Sequence, residues 1–351
     1  MRDPAASVTG AAVATAFGTS VAGNVAALFR GESAFSVPGH FDAKGRQLGV
    51  DRELDGGAGS RAERLLEKLR AGMDFKIPAD TSLFVATTVG AIDRLERGEM
   101  LDPATEFLRL AERIFGVKRG VLVSAACASG QCAAGLALRR LAAGACRHAL
   151  VVGGDIASEF CTAGFASLGA LSPTLCRPYD ADRDGLTLGE GAGALLLSCE
   201  GDGLGRIVAA GENCDAGHIT APDLTGAQLR RLVEKVIRGR EIGGIVGHGT
   251  GTRYNDQAEV AALAGAFGDK MPPLVSIKGN YGHTLGATGV LQLVLGLEFL
   301  RRGELPPQAR LLRAMDRATV STAAGKLASR SLLSVNVGFG GLNSAVVLEA
   351  S

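Results

Sequence analysis

The sequence predicts an α/β protein built as two successive halves, each carrying a mixed sheet. Two observations lead there. Strand-like and helix-like segments alternate in two blocks that repeat the same outline. The composition, with 50 Gly, no Trp, 46% hydrophobic and 21% charged residues among 351, suits closely packed α/β layers better than a β-sandwich.

Along the chain, the segment 44–59 is charged and Gly-rich and reads as an exposed excursion. From Ser60, SRAERLLEKLRAGM places Leu65, Leu66 and Leu69 on one helical face with basic residues on another. Buried strands are predicted over 81–87 and 120–123. The run SAACASGQCAAGLALRRLAAGA then predicts a buried helix starting near Cys127. Strands at 148–152 and 192–197 close the first half, taken as residues 1–202. The second half, 203–351, opens with a strand at 207–210. It continues with a basic amphipathic helix over 228–238 and short strands at 242–246 and 274–276. A small-residue helix from about 285 to 300 and strands at 331–336 and 345–349 complete it. Identity between the halves is too weak to establish a duplication from sequence.

The formal net charge is +1, so no global charge points to nucleic acid or membrane, and an acidic partner would need a local patch. The apolar stretch Val8–Phe17 is too short and too broken by Gly to span a bilayer. Seven Cys lie at irregular spacing with no CxxC pair, which argues against zinc and against thioredoxin-type redox chemistry. No metal site is expected. An odd number of thiols and no recognisable leader is the pattern expected of a reduced, cytoplasmic protein.

Four Gly-rich segments each follow a predicted strand: SAACASG (124–130), GHGTGT (247–252), SIKGNYGHTLGATG (276–289) and NVGFGGLNS (336–344). Strand ends are where α/β proteins place active sites. Cys127 stands at a strand-to-helix junction, where a helix N-terminus favours thiolate and lowers the thiol pKa. The other six Cys have no such setting and read as packing residues. His248 and His283 fall in Gly/Thr-rich turns, where neutral imidazoles can donate to an oxyanion or enolate. Lys278 follows an apolar strand and is expected to be a semi-buried charge needing a carboxylate partner, Glu259 or Asp256. Gly338–Gly341 offers backbone amides, with Phe339 the only large side chain. Residue chemistry alone indicates acyl transfer through a thioester.

In family order these motifs, together with FASLGALS (165–172) and CRPYDADRDGLTLGEGAGALLL (176–197), resemble the β-ketoacyl synthases of the elongating, Cys-His-His type. That resemblance implies the thiolase fold, five layers α-β-α-β-α from two similar halves with mixed five-stranded sheets, as a homodimer or a heterodimer with another ketosynthase-like subunit. It implies decarboxylative condensation of a malonyl thioester with an acyl chain on Cys127, in fatty acid or polyketide-type biosynthesis. No cofactor is implied beyond the phosphopantetheine arm of the acyl carrier protein, the expected partner.

Position by position, Cys127 would take the acyl chain and the amides of Cys127 and Phe339 would form the oxyanion hole. His248 and His283 would stabilise the enolate, Lys278 would hold His283 and be balanced by Glu259, and Asp256 would be a further supporting residue. Thr250, Thr252, Gly338, Gly340 and His218 would contact substrate, and Phe339 would gate it. Thiolases carry a second Cys and initiating synthases an Asn at the third catalytic position, where this chain has His283. Val337 replaces a commoner Phe in the gate loop. Two other readings are a non-catalytic chain-length partner of a true synthase and a thiolase-like enzyme using acyl-CoA. The basic face Arg61, Arg64, Lys68 and Arg70 is the candidate carrier-docking patch, with an ordinary solvated helix face as the alternative.

Overall fold

In the computed structural model, which describes residues 5–351, the alternation of strand and helix is realised almost throughout. The first half contributes β1 (Ala6–Thr15), α1 (Val21–Phe29), α2 (Arg61–Ala71), β2 (Thr81–Ala86), α3 (Ile92–Glu96), α4 (Pro103–Phe115), β3 (Val121–Val123), α5 (Ser129–Ala142), β4 (His148–Asp155), α6 (Glu159–Ser167) and β5 (Gly191–Ser198). The second contributes β6 (Gly205–Cys214), α7 (Ala227–Ile237), β7 (Gly244–Val246), α8 (Arg253–Phe267), β8 (Leu274–Val275), α9 (Lys278–Tyr281) and α10 (Thr288–Arg302). A small ladder of β9 (Glu304–Leu305) with β10 (Gly325–Lys326) leads to the last strands, β11 (Ser331–Gly338) and β12 (Leu342–Glu349).

The strand order is β3-β2-β4-β5-β1 in one half and β8-β7-β11-β12-β6 in the other, the same topology twice. In each half the first two pairings are parallel and the last two antiparallel, so only β5 and β12 run against their neighbours on both sides within a half. The halves are joined by β1 against β6, where Ala6, Ser7 and Val8 pair with Ile207, Arg206 and Gly205. Two sheets were expected; through that short ladder they form one ten-stranded sheet.

Helices α5 and α10 lie between the halves and pack on strands of both. Their small side chains permit this: Ala133, Ala134 and Ala137 on α5, with Val290, Leu293, Val294 and Leu297 on α10, belong to one buried cluster with Val151, Leu195 and Leu348. Helices α2 and α4 bury Leu65, Leu66, Leu69 and Phe107 on the outer face of the first half. Helices α7 and α8 bury Leu232, Val233, Val260 and Leu263 on the second. The result is five layers, α-β-α-β-α.

Helix α4 escaped the sequence reading, although its signals are local. Asp102 caps its first turn by accepting from the Thr105 amide at 3.0 Å, Pro103 opens it, and Gly116 at φ 70° ends it. The segment 44–59 is the exposed excursion expected only in part, since its middle is buried. Leu48 and Val50 are buried with Leu186, Leu188 and Leu285 in a cluster of their own, because apolar residues spaced among Gly and charges can still face one way.

Candidate active site

The turn after β3 sets the thiol. Ala126 adopts φ 48°, a left-handed conformation that costs a non-glycine residue roughly 1–2 kcal/mol. It is held there because its carbonyl accepts from the hydroxyls of Thr88 (3.1 Å) and Ser129 (2.5 Å), while the Ser129 Oγ accepts from the Ala125 amide (2.8 Å). Cys127 is thereby turned inward and is 6% exposed. Helix α5 starts at Ser129 and not at Cys127. Burial pushes the thiol up to about 12, Lys278 works against that rise, and Asp155 adds to it. The lowered thiol pKa expected from the helix end is not what this enclosed position produces: loss of hydration outweighs the favourable charges.

The 247–252 loop is built on two carboxylates of α8. Glu259 accepts from the amides of His248 (2.6 Å) and Gly249 (2.8 Å), and Asp256 from that of Thr250 (2.9 Å). Asp256 and Glu259 are three residues apart and so share a helix face. Tyr179 ties them together, its amide donating to Asp256 and its hydroxyl to Glu259. Gly249 at φ 26° is required there, since a Cβ would stand 2.6 Å from the Tyr179 ring. Burial raises the pKa of both carboxyls.

His283 is fixed from the other half. Its amide donates to the Thr187 carbonyl at 2.7 Å, and its carbonyl accepts from the Gly189 amide at 2.9 Å. Its Nδ1 receives the Leu285 amide at 3.2 Å and lies 3.1 Å from the Thr288 hydroxyl. The two imidazoles meet edge to face, ring centres 5.2 Å apart. Burial and then the Lys278 cation hold both well below the ordinary imidazole value, so both are neutral at pH 7.

Lys278 is 1% exposed, more deeply buried than expected. Its Nζ donates to the His248 carbonyl and lies 3.4 Å from His248 Nδ1. The cation therefore secures His248, where the resemblance implied His283. Glu259 is its first electrostatic counterweight against the burial that pulls its pKa down, without a direct ion pair.

Cys127, His248, His283, Thr250, Thr252 and Phe339 line one cavity of about 500 Å3. Gly338 also lines it, packed so closely on the nucleophile turn that a Cβ would be 3.3 Å from the Cys127 amide nitrogen. Phe339 is 36% exposed, its ring 5.5 Å from that of Phe165 across the opening. Two expected contacts lie elsewhere. Gly341 faces the cavity in place of Gly340, whose amide donates to the Ile219 carbonyl. His218 is exposed, and its Nδ1 accepts from the amides of Thr220 and Ala221, so it braces a loop whose neighbours line the cavity.

Three of the four basic residues of α2 are engaged, and Arg70 remains exposed. Arg61 is 3% exposed and paired with Glu190, Arg64 is spent on backbone carbonyls of 54–59, and Lys68 pairs with Asp51 and Glu53. The acidic residues are distant in sequence from α2, or precede it in the segment read as an excursion. Sequence reasoning also missed Asn336 and Gln292, which touch the histidine system, and Asp155. Asp155 accepts from Thr87, Thr88, Val89 and Gly286 and so ties both halves together beside the thiol. Among the described residues, no cluster of three His, Cys, Asp or Glu could hold a metal ion, and no helix is long and apolar enough to cross a membrane.

A buried thiol facing two neutral imidazoles across a duplicated five-layer α/β fold defines a thiolase-fold protein. Residues 119–202 match the N-terminal domain of β-ketoacyl synthase and residues 204–311 its C-terminal domain, together more than half of the chain. The chain belongs to the β-ketoacyl synthase family. It is 30% identical to 3-oxoacyl-[acyl-carrier-protein] synthase 2 of Mycobacterium tuberculosis over 253 residues, 65% of this chain and 61% of that protein. It is also 30% identical to nodulation protein E of Rhizobium meliloti over 200 residues, 53% and 50% of the two chains. The chain thus spans less than two thirds of the length of these curated relatives. Over whole chains, the ishigamide ketosynthase/chain length factor superposes with a TM-score of 0.88 at 25% identity, covering 99% of this chain and 100% of that one. A β-ketoacyl synthase from Burkholderia phymatum superposes at 0.86 and 27% identity, with full coverage of both.

Proposed function

We propose that this chain is a condensing β-ketoacyl synthase. Cys127 takes an acyl group from acyl carrier protein as a thioester. A malonyl thioester then loses carbon dioxide in the same cavity, and its carbanion attacks the acyl carbonyl. The convergence of Cys127, His248 and His283 on one enclosed cavity, with both imidazoles neutral beside buried Lys278, carries this reading. A neutral imidazole that donates an N–H stabilises developing oxyanion charge without adding a fixed cation. The amides of Cys127 and Phe339 serve as the oxyanion hole, supported by the tight packing of Gly338 on the nucleophile turn. Thr250 and Thr252, their hydroxyls 2.9 Å apart on the cavity wall, hold the pantetheine arm, and Phe339 gates the entrance. The chain divides functionally at 202/203, the thiol on one side and the imidazoles and lysine on the other. It acts in fatty acid or polyketide-type synthesis, in the cytoplasm, as a homodimer or with a ketosynthase-like partner.

A second reading, a chain-length partner subunit, is favoured by the ketosynthase/chain length factor among the similar structures. Retention of the thiol, both imidazoles and the lysine favours catalysis. Incubation with acyl carrier protein thioester followed by intact mass decides: an acyl adduct lost in Cys127→Ser supports the enzyme, and no adduct supports the partner.

A further inference from the structure

The two imidazoles differ in what holds their Nδ1 atoms. For His283 the partner is a backbone amide, Leu285 N at 3.2 Å. An amide can only donate, so Nδ1 accepts there and the proton of the neutral ring sits on Nε2. For His248 the partner is Asn336 Oδ1 at 3.1 Å, and which end of that amide faces the ring follows from a chain of contacts. The Gly247 carbonyl can only accept, so the Gln292 atom 2.6 Å away is its NH2 nitrogen. Gln292 Oε1 is then the acceptor for Asn336 Nδ2, which turns Asn336 Oδ1 toward His248. All three polar residues are buried, Asn336 and Gln292 completely. Lys278 Nζ, at 3.4 Å, is the longer contact and has the His248 carbonyl as its acceptor.

We infer that Asn336, oriented by Gln292, is a positioning residue that keeps the proton of His248 on Nδ1, so that the ring turns a bare Nε2 toward the cavity while His283 offers an N–H. The pair presents one acceptor and one donor. Resting on the condensing reading above, this divides their work. In acyl transfer the Cys127 thiol proton passes to His248 Nε2 as Sγ attacks the thioester carbon. The carrier C–S bond breaks, and the leaving thiolate takes that proton back, so no proton is gained or lost. The Nε2–H of His283 serves the enolate oxygen formed when carbon dioxide leaves.

The test is a long-range 1H–15N spectrum of 15N-histidine-labelled protein at pH 7.5, with signals assigned by His248→Asn and His283→Asn. The expected pattern is Nδ1–H for His248 and Nε2–H for His283. Asn336→Leu should move His248 to the Nε2–H form and slow acylation of Cys127 by an acyl carrier thioester on the order of tenfold to a hundredfold. Asn336→Asp, which keeps an oxygen at Nδ1, should retain the Nδ1–H form and most of the rate. If Asn336→Leu does not fold, Gln292→Leu, which frees the Asn336 amide to rotate, should give mixed tautomers. An Nε2–H signal for His248 in the unaltered protein, or an unchanged tautomer in the variants, overturns the inference. The spectrum needs no turnover, so a chain that fails to acylate would sink the condensing reading without deciding the tautomer.

Discussion

Gly130 of α5 and Gly289 of α10 meet backbone to backbone where the two central helices cross: a Cβ on Gly130 would lie 2.7 Å from the Val290 amide nitrogen, and one on Gly289 2.5 Å from that of Gln131. Each glycine follows its catalytic candidate closely, Cys127 in one half and His283 in the other. The crossing therefore sets how near thiol and imidazole come. Gly289→Ala should force the helices apart, costing about 1–3 kcal/mol and lowering condensation by more than the loss of folded protein explains. Thermal unfolding alongside malonyl decarboxylation checks this; an alanine variant with unaltered melting and turnover would refute it.

Stability should fall with acid. His248 and His283 refuse protons that the unfolded chain accepts near pH 6.5, so below that value the unfolded state binds more protons than the native one. Stability then rises with pH and is lost as pH falls, by about 1.4 kcal/mol per pH unit for each imidazole. Denaturant titrations between pH 5 and 7.5 should show this slope, and His248→Gln with His283→Gln should flatten it. An equal slope in the double variant would place the effect elsewhere.

Lys278→Met should shift the acid limb of the pH–rate profile upward. After burial, the cation is the next cause keeping both imidazoles neutral; without it they protonate at higher pH. The shift should be partial, because burial remains. An unmoved limb would mean that the limb reports another group.

Glu259→Ala leaves the amides of His248 and Gly249 and the Tyr179 hydroxyl without their acceptor and removes the first counterweight to Lys278. A loss of about 3–5 kcal/mol is expected. Glu259→Gln, which keeps one carbonyl oxygen, should lose about 1–3 kcal/mol. Equal melting of the two variants would contradict this.

Lys68→Glu sets a carboxylate against Asp51 and Glu53. It should lower stability and leave the Michaelis constant for carrier-bound substrate unchanged. A selective rise in that constant would restore α2 as a docking face.

The candidate catalytic side chains were legible because each sits in a short motif whose glycines announce the turn that carries it: Cys127 in SAACASG, His248 in GHGTGT, His283 in KGNYGH. The layers were legible because alternation and small-residue helices are local patterns. Asn336, Gln292 and the Arg61–Glu190 pair were not. Each is a polar residue whose partner lies 44 to 129 positions away, and no spacing rule links them before the chain folds. The raised pKa of Cys127 was equally hidden: a buried helix and its end are visible in sequence, but the walls that dehydrate the thiol are not.

The division of the site between the halves has a consequence for biosynthesis. Cys127 leaves the ribosome more than a hundred residues before His248 and His283, and the β1–β6 ladder, the central helices and the bonds from Thr187, Gly189, Tyr179 and Asp155 to the second half bring them together. A nascent first half therefore holds a thiol with no imidazole beside it. Chemical competence arrives last, at the moment the late-made half docks, so a chain stalled midway would be folded in part and inert in full.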